Sequence, residues 1–240
     1  MVQHGEHGPL VSLRHILISA AGLAALVPQP ALACRLALVL ALDVSSSIDA
    51  EEYKLQTDGL AAALLAPEVQ TAFFAAPSPV ALAAYEWSGQ WNQRVVLNWR
   101  LVETSADLFD AAEEIGGLSR VGISSPTGMG FGIGYGASVF AKGPVCDQRV
   151  LDVSGDGANN HGFPPALAYK HFPLSDVTVN ALVIGGATDL ATLVPWFQAN
   201  VLKGPGAFVE VAEDHMDFER AMRRKLVREV SPKIVGTLRP

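Results

Sequence analysis

The sequence predicts a doubly wound α/β fold: a mostly parallel six-stranded sheet with one antiparallel edge strand and helices on both faces. Three observations carry that reading. Leu36–Leu42 is an unbroken run of seven apolar residues, the pattern of a strand buried on both faces of a parallel sheet. Further short apolar runs alternate along the chain with stretches of helical pattern, as in successive βαβ units. Val80–Trp87 and Arg94–Trp99 are separated only by a turn at Ser88-Gly89-Gln90, so they form a hairpin and supply the antiparallel edge.

The elements follow in order. Asp49 is placed to cap a helix running to about Leu65, with acids in its first turn. After the hairpin, Ser105–Ile115 reads as a helix with Ser105 at the N-cap. Residues 127–137 carry five glycines at alternate positions. No strand precedes them and no Gly-Lys-Ser/Thr ending follows, so a phosphate loop is disfavoured. The segment reads instead as a helix packed very close to the sheet. Each interior glycine costs about 1 kcal/mol against alanine, and close contacts must offset that. Val150–Ser154 and Val177–Ile184 are strands, with helical patterns near 164–171 and 190–199. Phe208–Val211 gives a last short strand before an amphipathic helix over Met216–Val230, whose basic stretch Arg220–Arg228 reads as a solvated face.

Residues 1–33 have the form of a secretion signal. Arg14 and His15 precede an apolar stretch of 12 residues, Ile16–Val27, and Ala31-Leu32-Ala33 offers a small-x-small cleavage site before Cys34. Twelve residues fall short of the roughly 20 needed to cross a bilayer, so no transmembrane segment is expected. The remainder, 34–240, is long enough for one α/β domain, shows no repeat or long linker, and is expected to be exported as a periplasmic or extracellular monomer. Ala31-Leu32-Ala33 lacks the bulky apolar residue that lipid anchoring at Cys34 prefers. A formal net charge of −7 without a free Lys/Arg cluster argues against nucleic acid as a partner. Cys34 lies nine residues before Asp43, and Cys146 ten before Asp156. If both segments are parallel neighbours ending at one edge, the cysteines meet at the other. Adjacent strands about 4.8 Å apart suit the roughly 4.4–6.8 Å Cα separation of a disulfide, and an exported compartment permits it.

Asp43-Val44-Ser45-Ser46-Ser47 stands where the first strand leaves the sheet, the edge at which open α/β sheets bind ligands. A carboxylate with hydroxyls at i+2 and i+4 suits a hard divalent cation that prefers oxygen and keeps several waters. Two distant segments complete a set. Thr127 ends the loop that leads into the glycine-rich helix, and Asp156 follows the strand placed beside the first. Asp43, Ser45, Ser47, Thr127 and Asp156 are therefore the candidate metal residues. Glu86, at the end of the second strand, and His161, five residues after Asp156, either back the site or lie at the surface. Asn159 and Asn160 are expected to build the turn. Trp87, Trp91 and Trp99 are expected to pack on the hairpin, and His171 and His215 to be structural.

On these residues the chain resembles a von Willebrand factor type A domain, and the match covers essentially all of 35–230. The resemblance implies a metal-ion-dependent adhesion site. In it Ser45, Ser47 and Thr127 offer hydroxyls to Mg²⁺ or Mn²⁺, while Asp43 and Asp156 act largely through bound waters or as outer acceptors. A coordination position stays open for an Asp or Glu of a partner protein, so the implied function is cation-dependent protein binding and not turnover. Cys34, the strand after it and Val153–Asn160 resemble a secreted bacterial subgroup of that family. One departure is Ser125-Pro126, where the family usually has two glycines before the threonine. Two alternatives compete. A phosphatase using Asp43 as nucleophile would want a second Asp where Ser45 stands, and no Gly-x-Ser-x-Gly elbow exists for a serine hydrolase. A structural envelope protein with a vestigial metal site is the other.

Overall fold

In the computed structural model, residues 34–121, 125–186 and 188–232 are described, and among them six strands form one sheet. The expected signal segment, 1–33, lies outside these residues. The strands are β1 (Cys34–Asp43), β2 (Val80–Trp87), β3 (Gln93–Val102), β4 (Cys146–Gly155), β5 (Val177–Ile184) and β6 (Val209–Ala212). The helices are α1 (Ala50–Leu65), α2 (Pro67–Phe73), α3 (Ser105–Gly116), α4 (Met129–Phe140), α5 (Pro165–His171), α6 (Leu190–Asn200) and α7 (Phe218–Val230). The sheet order is β3-β2-β1-β4-β5-β6, and β3 alone runs antiparallel to its neighbour. The chain thus leaves β1 in opposite directions across the sheet, toward β2 first and β4 later, and the crevice between those two paths is where such sheets bind ligands.

Period-two alternation along β1 divides the core in two. Leu36, Leu38, Leu40 and Leu42 join residues of α1, α2, α3 and α7, while Ala37, Val39 and Ala41 join residues of α4, α5 and α6. The smaller side chains on the second face allow α4 to lie close. Gly132 rests on the Trp87 ring, where an added Cβ would stand 2.7 Å from the indole. The Tyr85 hydroxyl donates to the Gly132 carbonyl at 2.7 Å. The glycine-rich stretch is therefore a helix pressed on the sheet, as its composition predicts.

The cysteines meet as the spacing predicts. Cys34 and Cys146 are register partners in the β1–β4 ladder and form a disulfide, with Cα atoms 4.6 Å apart. Asp49 caps α1, accepting from the Glu51 and Glu52 amides, and the Glu52 carboxylate accepts from the Asp49 amide in return.

Four expectations need correction. The N-cap of α3 is Thr104, not Ser105. Thr104 forms the same reciprocal box with Asp107, which sits at the third helical position only when the cap is moved back by one residue. The helix α2 was unforeseen, although Pro67 at its first turn is a favoured starter that has no amide to leave unpaired. Trp87 is fully buried and Trp99 donates to the Val139 carbonyl, but Trp91 projects into solvent, 85 % exposed. Lys225 belongs to the stretch read as a solvated face, yet it is fully buried between Asp152 (2.8 Å) and Glu229 (2.6 Å). Its neighbours Arg220, Arg223 and Arg224 do sit outside, paired with Asp217, Glu68 and Glu210.

Gly132→Ala forces a methyl into the Trp87 ring. Overpacking of this kind costs about 1–3 kcal/mol, and the better helix propensity returns at most about 1. Denaturant unfolding should show a net loss of roughly 1–2 kcal/mol. Gly186→Ala, where an added Cβ meets nothing within 4 Å, should stay within about 0.5 kcal/mol of the parent.

Candidate metal site

β1 and β4 run in parallel and end together, so Asp43, the last residue of β1, stands against Gly155 and just before Asp156. A Cβ on Gly155 would lie 3.2 Å from Asp43 Oδ2. The chain turns sharply after Asp43: its Oδ1 accepts from the Ser45 amide at 2.7 Å, and the Val44 amide donates to the Trp87 carbonyl at 2.9 Å. That turn aims the Ser45 and Ser47 hydroxyls at one another, 3.0 Å apart. Ser47 Oγ donates to Asp156 Oδ1 at 2.8 Å, and Thr127 Oγ1 donates to Ser45 Oγ at 3.2 Å. All five predicted residues therefore belong to one connected oxygen cluster. Asp43, Ser45, Thr127 and Asp156 form its buried floor, and Ser47 stands on the exposed rim.

The loop before α4 is held from both sides. The Ser46 amide donates to the Ser125 carbonyl at 2.7 Å, and Asn92 donates to the Ser125 hydroxyl. The Thr127 amide donates to Asn160 Oδ1 at 2.9 Å, while the Asn160 and His161 amides both donate to the Thr127 carbonyl. Asn159 Oδ1 accepts from the Gly130 amide at 3.3 Å. The two asparagines, expected to build their turn, thus also hold the site's third segment, Asn160 at Thr127 and Asn159 at the first turn of α4. Gly128 is required here, since a Cβ would meet the Ser88 carbonyl at 2.7 Å.

The remaining candidates fall elsewhere. Glu86 is buried, not at the surface. It accepts from the Tyr53 hydroxyl at 2.5 Å and from Arg94 at 2.9 and 3.1 Å, so its oxygens are occupied beside the cluster. The His161 ring is half-buried against Phe131. His215, read as structural, is buried with its Nδ1 3.3 Å from Glu52. Sequence reasoning missed Arg120, whose guanidinium reaches the Ser45 carbonyl at 3.4 Å. Only the topology, which returns the chain over this edge after α3, brings it there.

A family model described as "Protein of unknown function (DUF1194)" matches residues 33–234. The chain belongs to that family. No curated protein matches it. Among solved structures it resembles proximal thread matrix protein 1 from the mussel byssus, in a form with a zinc-occupied MIDAS motif: 18 % identity, TM-score 0.60, over 83 % of this chain and 49 % of that one. It also resembles a von Willebrand factor type A protein from Catenulispora acidiphila (17 %, TM-score 0.58, 82 % and 43 %) and the pilus adhesin SpaC from Lactobacillus rhamnosus GG (12 %, TM-score 0.57, 82 % and 30 %). The chain spans less than half the length of each of these proteins. At such identities the likeness is one of fold, and the fold is that of von Willebrand factor type A domains.

The donor set of this DUF1194 chain decides which metals fit. Among the described residues no group of three His, Cys, Asp or Glu side chains converges, so a cage for a soft or nitrogen-seeking metal is not built there. The cluster offers only hydroxyl and carboxylate oxygens, which suit a hard cation. Asp43 Oδ2 is buried and has no hydrogen-bond partner. Such an atom is costly unless a proton or a cation reaches it. Burial, reinforced by the charge of Asp156, pushes the Asp43 carboxyl up to about 8; its hydrogen bonds with Ser45 oppose this. Burial likewise raises Asp156, against the Ser47 hydroxyl and His215.

A carboxyl raised on folding stabilises the fold fully below its unfolded value, here near 3.8, and loses that contribution as pH rises through its folded value, about 8. In EDTA the melting temperature should therefore fall as pH rises from 5 to 8. Asp43→Asn should flatten that slope. An equal slope in the variant would show that Asp43 does not carry it.

Proposed function

We propose that this chain is an exported protein-binding module whose oxygen cluster holds a divalent cation, Mg²⁺ or Mn²⁺, completed by an Asp or Glu of a partner protein. The observation that carries the proposal is the single network joining Asp43, Ser45, Ser47, Thr127 and Asp156, with one carboxylate oxygen left buried and unpaired. Ser45, Ser47 and Thr127 would supply neutral oxygens, and Asp43 and Asp156 the negative charge, directly or through waters. Bound there, the cation supplies an electrophilic coordination position for an incoming carboxylate. Neutral hydroxyls leave more of its charge unspent than an all-carboxylate cage would.

Two further observations support the reading. The mussel byssus protein, which shares this fold, has a zinc-occupied MIDAS motif. The Cys34–Cys146 disulfide favours an oxidising, exported setting, and among the described residues no helix is long and apolar enough to cross a membrane. We take 34–240 as one domain, acting as a monomer and recognising a partner without turning it over.

Thermal unfolding in EDTA, Mg²⁺, Mn²⁺, Ca²⁺ and Zn²⁺ tests the site. A ligand confined to the folded state adds about 2.7 kcal/mol at a hundredfold excess over Kd. Mg²⁺ or Mn²⁺ should raise the midpoint of the parent, and neither Asp43→Ala nor Thr127→Val should respond. Absence of a shift at millimolar metal would remove the metal. Hydrolysis of generic phosphate esters, lost in Asp43→Ala, would replace a binding module by an enzyme.

A further inference from the structure

Beside the oxygen cluster lies a cavity of about 290 Å³, lined in part by Val44, Glu86, Trp91, Asn92, Arg94 and Arg120. Val44 is the residue between Asp43 and Ser45, so cavity and cluster share a wall. A water occupies about 30 Å³ of liquid, so the space admits a side chain and not merely solvent.

The two arginines differ. Arg94 is neutralised by Glu86, with contacts at 2.9 and 3.1 Å. Arg120 has no such partner: among the described residues no carboxylate lies within ion-pair distance of it. Among the described residues its one side-chain hydrogen bond is a long contact to the Ser45 carbonyl at 3.4 Å, and its Nε is buried and unbonded. A guanidinium carries five donors in a planar fork shaped for a carboxylate, and among the described residues most of this fork is unused. Trp91 and Val121 stand over the same cavity, 85 % and 67 % exposed. Tryptophan beside arginine is the composition of an interface hot spot.

Charge selects the occupant. The chain carries a formal net charge of −7 and repels an acidic partner at long range. Capture of one therefore needs positive charge concentrated at the point of contact. Arg120 supplies it next to a ligand of the cation.

We propose that this cavity is a second subsite, in which Arg120 takes a further carboxylate from the same partner segment that places its first carboxylate on the metal. This rests on the metal reading above and adds the partner's class: a segment with two acidic residues on one face. In an extended peptide, residues i and i+2 share a face, so Glu-x-Glu is the spacing sought.

The test titrates the full chain, in saturating Mg²⁺ and in EDTA, with the capped peptides Ac-Gly-Glu-Gly-Glu-Gly-NH₂ and Ac-Gly-Glu-Gly-Gln-Gly-NH₂. In Mg²⁺ the two-acid peptide should bind about tenfold tighter, the gain of one charged hydrogen-bonded pair. Arg120→Gln should abolish that advantage, read as the ratio of the two peptide affinities within each Mg²⁺-saturated variant, so that any change in metal binding or stability cancels. Arg120→Lys, which keeps the charge but not the fork, should recover part of it. Equal affinities for the two peptides in the parent, an advantage that survives Arg120→Gln, or binding of neither peptide by the metal-loaded protein would each overturn the subsite. Failure of the chain to bind Mg²⁺ or Mn²⁺ would instead overturn the metal reading, and the subsite with it.

Discussion

Parallel pairing of β1 with β4 sets both ends of this molecule at once. The register that places Cys34 opposite Cys146 at one edge also makes the strands finish together, nine residues later, at the other. At that second edge the chain must leave the sheet, and side chains that would be costly in the core can gather there. Asp43 and Asp156, 113 positions apart by their numbers, become neighbours through this pairing. A slip of one residue in β1 would turn Asp43 to the opposite face of the sheet. It would also exchange the leucine and alanine faces that the two helical layers require. The disulfide, the core and the oxygen cluster thus depend on one register.

The third segment of the site is placed differently. Thr127 lies on no strand, and its position is set by hydrogen bonds to Asn160 and by the close seating of α4 on Trp87. Glycines at 130, 132, 134 and 136 weaken α4 as an isolated helix. In exchange they bring its first turn within reach of β1 and β4. Ser125-Pro126, the departure from the usual pair of glycines, is accommodated by direct pairing of the Ser125 carbonyl with the Ser46 amide. The two hydroxyl-bearing loops therefore brace one another, and the geometry of Ser45 and Thr127 does not depend on either loop alone.

Much of this was legible in the sequence, because the informative residues are those whose physics is local or strictly periodic. The apolar run 36–42, the Asp49 cap, the hairpin turn and the cysteine spacing each follow from short-range rules. That Asp43, Ser45, Ser47 and Asp156 gather at one edge was legible because strand ends are predictable from strands, whereas Thr127 was placed only by the loop before α4. What escaped depended on neighbours distant in sequence. Ser105 looks as suitable a cap as Thr104 until the partner three residues on is considered. Lys225 is indistinguishable in sequence from the arginines beside it, since only β4 supplies the Asp152 that accepts it. Arg120 carries no motif at all, and its role arises from where the chain crosses after α3.

Lys225 also clarifies the oxygen cluster at the end of β4. One strand holds two buried acids, Asp152 and, one residue beyond its end, Asp156. Beside Asp152 stands a second carboxylate, Glu229, and the chain supplies an ammonium to both, with Asn180 bonding Glu229 at 2.7 Å. Beside Asp156 stands Asp43, and the charged neighbour that bears most on Asp43 is Asp156 itself. Two buried carboxylates without a cation are costly, because like charges at short range cannot both ionise freely. The first pair has its counter-charge encoded in α7, although Asp152 Oδ2 and Glu229 Oε2 also lack a hydrogen bond. In the second pair that role is left to a proton or to an ion from solution. Three hydroxyls that bind one another weakly, and an oxygen that binds nothing, are poor structural groups. Opening at the sheet edge beside a spare guanidinium, they make sense as ligands.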